Sequence, residues 1–163
     1  MNPQIAPSDS APLSICAELP PEWKEELDAL LFDNPRQAAL ERQILATIRE
    51  FGLPRTRIAD GRLRIALDDG IVLGSLFAIV ESEEGAALAG ALLFLRKNSA
   101  MLCLHLSVDE PFALGRPRAS LLVASRLLDE LRRIASLIAG VDRVEIYCKR
   151  AGWLRLPLSS RLA

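Results

Sequence analysis

Aromatic residues are scarce in this chain, at 5% of the sequence, although 50% of its residues are hydrophobic. The core must therefore be built mainly from aliphatic side chains. Surfaces that bind nucleic acids combine excess basic charge with aromatic side chains on which bases stack. The net charge of −1 and the shortage of aromatics argue against such a surface. The composition therefore predicts no nucleic-acid partner.

Long hydrophobic runs are missing as well. The longest, residues 86–95, contains Gly90 and is flanked by charged residues, so it is too short to span a bilayer. The first dozen residues contain no basic residue and no hydrophobic segment of the kind found in signal peptides. We therefore expect a cytoplasmic protein without a membrane partner. We also expect residues 1–19 to form a loosely ordered N-terminal arm and residues 20–163 to form a single domain.

Residues that bind metals or form disulfides are few. The three cysteines, Cys16, Cys103 and Cys148, lie far apart in the sequence and lack CxxC spacing. There is one histidine, His105. This set fits neither a zinc site nor a disulfide framework, and an odd number of cysteines favours free thiols in a reducing compartment. We therefore expect no metal, and we expect cysteines that pack as small hydrophobic side chains.

The spacing of apolar residues predicts both helices and strands. An apolar period of three to four residues predicts two helices in the first third and one long helix near the C-terminus. Alternating or continuous apolar segments predict strands between them and after the last helix. The predicted helices start at Pro21 and at Asn34-Pro35, with the second ending before Gly52, and a third covers 117–139. The predicted strands are 13–17, 62–67, 75–81, 87–96, 101–108 and 141–148.

These elements predict an α/β (α+β) fold with a mixed sheet. The strands between residues 75 and 108 are joined by short turns, so we expect them to form an antiparallel meander. A strand, a long helix and a second strand follow toward the C-terminus. Such a strand-helix-strand unit predicts a right-handed crossover with parallel pairing.

One segment carries a more specific pattern. Residues 104–135 read LHLSVDEPFALGRPRASLLVASRLLDELRRIA, and VDRVEIY follows at 141–147. This segment resembles the central motif of GNAT-superfamily N-acyltransferases. In that motif a strand ending in VD leads through a loop to a helix of the LLDELRR type, and a strand of the VDRVEIY form follows. The order of elements agrees with that family over roughly residues 20–149. The resemblance implies a GNAT-like fold and acetyl-CoA or another acyl-CoA as the ligand class.

The resemblance also implies which residues would hold that ligand. In the family, N–H groups of the loop and of the first helical turn bind the pyrophosphate, as helix N-termini bind anions generally. The edge of the preceding strand pairs with the pantetheine arm in the manner of an added strand. The residues at the matching positions are Leu106 and Val108 on the strand edge, and Gly115, Arg116, Arg118 and Ala119 in the loop and first turn.

The loop departs from the family pattern at several positions. Ala113 stands where the family has a basic residue, and Leu114, Arg116 and Arg118 stand where its glycines belong. Pro117 lacks the N–H group that another residue would donate. Each hydrogen bond that is lost to the phosphates weakens binding. The sequence therefore favours a GNAT-like protein that has lost or weakened acyl-CoA transfer and acts as a binding or assembly module.

Two residues are candidates for catalysis. His105 has a side chain suited to general base catalysis near neutral pH, and strand alternation predicts that Cys103, His105 and Ser107 share one face. The resemblance places Tyr147 near the CoA cleft. Both residues also suit plain structural roles, as a histidine and an aromatic residue packed on a sheet. The family often takes a tyrosine acid from a helix beyond the last strand, and residues 149–163 leave room for one short strand at most.

Two other functions remain open from the sequence. An acyl-CoA-dependent N-acyltransferase acting on an amine is one. A small secretion-type chaperone is the other, because ADGRLRIALDDG at 59–70 resembles strand-turn segments of those proteins. In a GNAT-like sheet, the apolar tail at 153–158 predicts an exposed edge that a complete sheet of the family would cover, and this edge invites a homodimer or another protein partner.

Overall fold

The computed structural model describes residues 12–34, 37–148 and 152–158, and side chains at 37–43, 120 and 147–148 are left out of the description. Short 3₁₀ turns at Pro21–Trp23, Glu110–Phe112 and Ala119–Leu121 accompany the longer elements. The longer elements are β1 (Leu13–Cys16), α1 (Lys24–Phe32), α2 (Gln37–Phe51), β2 (Arg55–Ala59), β3 (Arg62–Ala66), β4 (Gly74–Ser82), β5 (Gly85–Lys97), β6 (Ala100–Val108), α3 (Val123–Leu137), β7 (Arg143–Cys148) and β8 (Gly152–Pro157).

The main sheet has six strands in the order β1-β4-β5-β6-β7-β8. All neighbours are antiparallel except β6 and β7, which are parallel and are joined through α3. The mixed α+β class, the meander β4-β5-β6 and the strand-helix-strand crossover predicted from the sequence are confirmed. The predicted strand at 62–67 is also present as β3, but it pairs with β2 in a separate two-stranded sheet. β1 lies within the segment predicted as an arm, and residues 1–11 of that segment lie outside the described residues.

Apolar side chains cover both faces of the main sheet. One cluster, the α3-side core, includes Leu92, Met101, Val123, Leu127 and Leu131. The other cluster, the α1-side core, includes Leu27, Leu31, Leu63, Phe77 and Leu93. Both are mainly aliphatic, as the composition predicts. No helix within the described ranges is long and apolar enough to cross a membrane.

The start of α3 differs from the sequence prediction. The predicted helix covered residues 117–139, whereas α3 runs from Val123 to Leu137. Leu122 adopts the left-handed conformation with φ at 51°, which a continuing α-helix cannot accommodate. The preceding loop is held against the body of the protein, because Phe112 is buried and the Arg118 guanidinium lies 5.0 Å from its ring centre. Apolar periodicity does not register these tertiary contacts, and so it extended the helix too far.

α3 packs closely on β5 at its N-terminal end. A Cβ atom added at Gly90 would lie 2.7 Å from Val123 Cγ1 and 3.1 Å from Leu127 Cδ1. A larger residue would therefore force the helix away from the sheet. The small residue fixes the first turn of α3 beside the end of β6, and this places the helix N-terminus at the edge of the sheet.

Candidate functional site

β6 has two strand neighbours along only part of its length. Its pairing with β7 extends from Ala100 to Cys103. Its pairing with β5 continues to Val108. Among the residues that the structure describes, the C-terminal half of β6 therefore has a strand neighbour on one side, and its other edge is open.

Polar backbone groups line this open edge. The Asp109 N–H donates to the Ala89 carbonyl oxygen at 2.8 Å. Because hydrogen bonding alternates along an antiparallel pair, the N–H and C=O groups of Ser107 also point to β5, and those of Leu106 and Val108 point away from it. One of these groups has a partner, since Asn34 Nδ2 donates to the Val108 carbonyl oxygen at 3.0 Å.

A cavity of about 250 Å³ lies at this edge, between the end of β6, the following loop and the start of α3. The first turn of α3 contributes Val123, Ala124 and Ser125 to its lining. No side chain caps this helix within the described residues, and the Arg126 N–H, bonded to the Leu122 oxygen at 3.0 Å, makes the first intrahelical bond. The cavity is therefore bounded by the uncapped N-terminus of a helix, where backbone N–H groups and the helix dipole favour anions.

The structure brings half of the residues suggested by the resemblance to this cavity. Leu106, Val108 and Ala119 line it, whereas Gly115, Arg116 and Arg118 are not among the described residues that do. Arg116 forms an ion pair with Glu110, and Arg118 lies over Phe112. Both arginines are therefore engaged within the loop itself.

The sequence prediction missed Asn34 at this site. The sequence placed Asn34 at the start of the second helix, but its side chain reaches β6 and also lines the cavity. The two partners are separated by 74 residues in the sequence, so no local spacing reports their contact. Phe112 was missed for a similar reason, because its burial depends on how the loop folds back on α3.

An extra residue in β6 changes which side chains share a face. Leu93 pairs with His105, but the next residue of β5, Phe94, pairs with Cys103, so Leu104 has no counterpart. Phe94 and Cys103 belong to the α3-side core, and Leu93 belongs to the α1-side core. The prediction that Cys103, His105 and Ser107 share one face is therefore wrong for Cys103, because strict alternation fails at the bulge.

His105 lies beside a second cavity of about 100 Å³, between α1, α2 and β6. The described lining is apolar apart from Thr47 and His105 itself, and it holds no other ionisable side chain. Burial lowers the pKa of His105 to about 4, so the imidazole is neutral at physiological pH. Its Nε2 atom lies 2.7 Å from Ser107 Oγ.

The remaining candidates do not form a reactive centre. Burial raises the pKa of the Cys103 thiol to about 12, which leaves it protonated and inert. Among the described residues, no three His, Cys, Asp or Glu side chains converge as they would around a metal ion. The backbone of Tyr147 pairs with Trp153 of β8, and the prediction for its side chain lies outside the described residues.

Burial of neutral His105 predicts an acid-dependent loss of stability. The unfolded chain binds a proton on this residue near its ordinary pKa of 6.5, and the folded protein does so only near 4. The unfolded state therefore gains protons first as the pH falls, and this residue costs up to about 3 kcal/mol of folding free energy between pH 6.5 and pH 4. Urea unfolding across this range gives the free energy of unfolding of the wild type and of His105→Gln at each pH. The two free energies should converge as the pH falls, because only the wild type loses stability through this histidine. Parallel curves would contradict the assignment.

No family model, curated protein or solved structure matches this chain. Its function is therefore inferred from the geometry of the two cavities and from the pattern of residues 104–147.

Proposed function

We propose that this chain has a GNAT-like arrangement, and that the 250 Å³ cavity at the end of β6 is a weakened acyl-CoA site. On this proposal the protein acts as a binding module and does not transfer acyl groups to an amine. The order of elements supports the arrangement, since a meander is followed by a parallel strand pair joined through α3.

One observation carries the proposal. An open strand edge and the uncapped N-terminus of α3 bound the same cavity. A pantetheine arm contains amide groups that pair with a strand edge, and it ends in phosphates that suit a helix N-terminus. Few other small ligands combine these two requirements in one molecule.

Three features of the site support weak binding. Arg116 is paired with Glu110 and Arg118 with Phe112, so neither guanidinium is directed to phosphate at the helix N-terminus. Pro117 has no N–H to donate. Asn34 occupies the Val108 carbonyl oxygen, which a pantetheine amide would otherwise use. Each lost hydrogen bond costs about 0.5–1.5 kcal/mol, so two such losses weaken binding by about tenfold or more.

The chemistry of the cavity also argues against transfer to an amine. Its described lining contains no ionisable side chain. A general base must lie within hydrogen-bond reach of the proton that it removes, whereas the His105 ring lies beside the other cavity. The described residues of this cavity therefore provide no group that could remove a proton from an ammonium acceptor.

The segment at 59–70 that suggested a chaperone contributes Leu63 and Ile65 to the α1-side core. No contact among the described residues adds support for the chaperone alternative.

Titration with acetyl-CoA, followed by NMR, tests this function. We expect shifts of the backbone amides of Leu106, Val108 and the first turn of α3, with saturation only at high micromolar concentration or above. Ala124→Glu places a negative charge at the helix N-terminus and should weaken binding at least about tenfold through repulsion of the phosphates. Leu137→Glu makes the same charge change on an exposed residue at the far end of α3 and should bind like the wild type.

Two outcomes would overturn the proposal. Shifts that spare both β6 and α3 would remove the cavity as the site. Low-micromolar binding together with acetylation of a small amine would restore the acyltransferase alternative.

We also propose that β8 is the interface of a homodimer. It is the last strand of the sheet, and Leu154 on it is 40% exposed. Pro157 lacks an N–H and its carbonyl oxygen accepts a hydrogen bond from Arg132 at 2.8 Å, so pairing would use the first part of the strand. A second copy can extend the sheet across this edge.

Sedimentation equilibrium measures this association directly. We expect the mass of a dimer at micromolar concentration, and Leu154→Lys should shift the protein to monomer because it places a charge on the edge. Leu137→Lys, on an exposed position of α3, should remain dimeric. A monomeric wild type at high micromolar concentration would eliminate this interface.

A further inference from the structure

His105 and Ser107 form a polar pair between the two cavities. They lie on the same face of β6, with Leu93 and Ala91 as their respective partners on β5. His105 lines the apolar cavity and Ser107 lines the cavity at the open edge. Ser107 is only 5% exposed to bulk solvent, and its hydroxyl oxygen lies 2.7 Å from His105 Nε2.

We propose that Ser107 is a nucleophile with His105 as its general base, and that the pair accepts short apolar acyl groups from activated esters and thioesters. The distance between the two atoms falls within the range for a serine activated by an adjacent base. The imidazole is uncharged, and in the tautomer that carries its proton on Nδ1 the Nε2 lone pair accepts the serine proton. This activity differs from transfer to an amine, because the protein itself is the first acyl acceptor.

The reaction balances as two steps. Ser107 Oγ attacks the carbonyl carbon while its proton passes to His105 Nε2. The bond from that carbon to the leaving oxygen or sulfur breaks, and the leaving group departs with the bonding electrons and takes the proton from His105. Water then attacks the acyl-serine, one of its protons passes through His105 to Ser107 Oγ, and a carboxylic acid leaves.

The surroundings of the pair define the substrate class. The apolar cavity beside His105 measures about 100 Å³ and includes Leu31, Ile48 and Leu93. A cavity of about 150 Å³ admits benzene, so this one suits an acyl chain of a few carbons. The N–H groups of Leu106 and Val108 at the open edge are donors on the same strand for the oxyanion that forms during attack. The burial that keeps His105 neutral also makes it a weak base, so we expect slow turnover and an acyl-serine that accumulates.

The test uses p-nitrophenyl butyrate with the full chain. We expect a burst of about one equivalent of p-nitrophenolate per protein, and peptide mapping after an acid quench should find the butyryl group on Ser107. Ser107→Ala should abolish the burst, and His105→Gln should slow it by about tenfold or more. Ser82→Ala removes an exposed serine that bonds the Gly85 carbonyl oxygen and should react like the wild type. The decanoate ester should react more slowly than the butyrate.

The outcomes separate this proposal from the CoA site. A butyryl group on any residue other than Ser107, or no burst from the folded wild type, overturns the dyad. Peptide mapping of the wild type decides the question even if Ser107→Ala fails to fold. If the nitrophenyl ester acylates Ser107 while acetyl-CoA shifts no amide of β6 or of the first turn of α3, the dyad stands and the CoA site fails.

Discussion

β7 pairs with the first four residues of β6, Ala100 to Cys103, and within the described ranges the rest of β6 has β5 as its one strand neighbour. The open edge that results exposes backbone groups of Leu106 and Val108. It also leaves room for the loop that folds back beneath α3 and for the cavity between them. Gly90 fixes the other wall, because α3 approaches β5 too closely there for a side chain.

The extra residue at Leu104 has a second consequence for chemistry. It turns Cys103 toward the α3-side core and His105 toward the α1-side core. The thiol is thereby buried and inert, while the imidazole faces an apolar cavity and contacts Ser107. Because of this one added residue, Ser107 shares a face of β6 with His105 and Cys103 does not.

Periodicity predicted the strands of the meander, β7 and the class of fold, because burial of one or both strand faces leaves a local pattern. It could not predict that α3 starts at Val123, since that boundary depends on the left-handed Leu122 and on burial of Phe112. Nor could it find the bulge at Leu104, because the surrounding residues are apolar on both faces. Asn34 was missed as a site residue, since its contact with Val108 joins segments distant in sequence. The family resemblance assigned Leu106, Val108 and Ala119 to an acyl-CoA site, and in the structure they line the cavity. The spacing of apolar residues alone would not have selected them.

Amide hydrogen exchange in the native protein, resolved by NMR, tests the central claim that the second half of β6 is open on one side. The N–H groups of Ser107 and Asp109 point to β5, and the latter bonds to Ala89 at 2.8 Å, so both should exchange slowly. The N–H groups of Leu106 and Val108 point to the open edge and should exchange much faster. Equal protection of all four amides would show that another segment covers this edge, and it would contradict the account of the cavity.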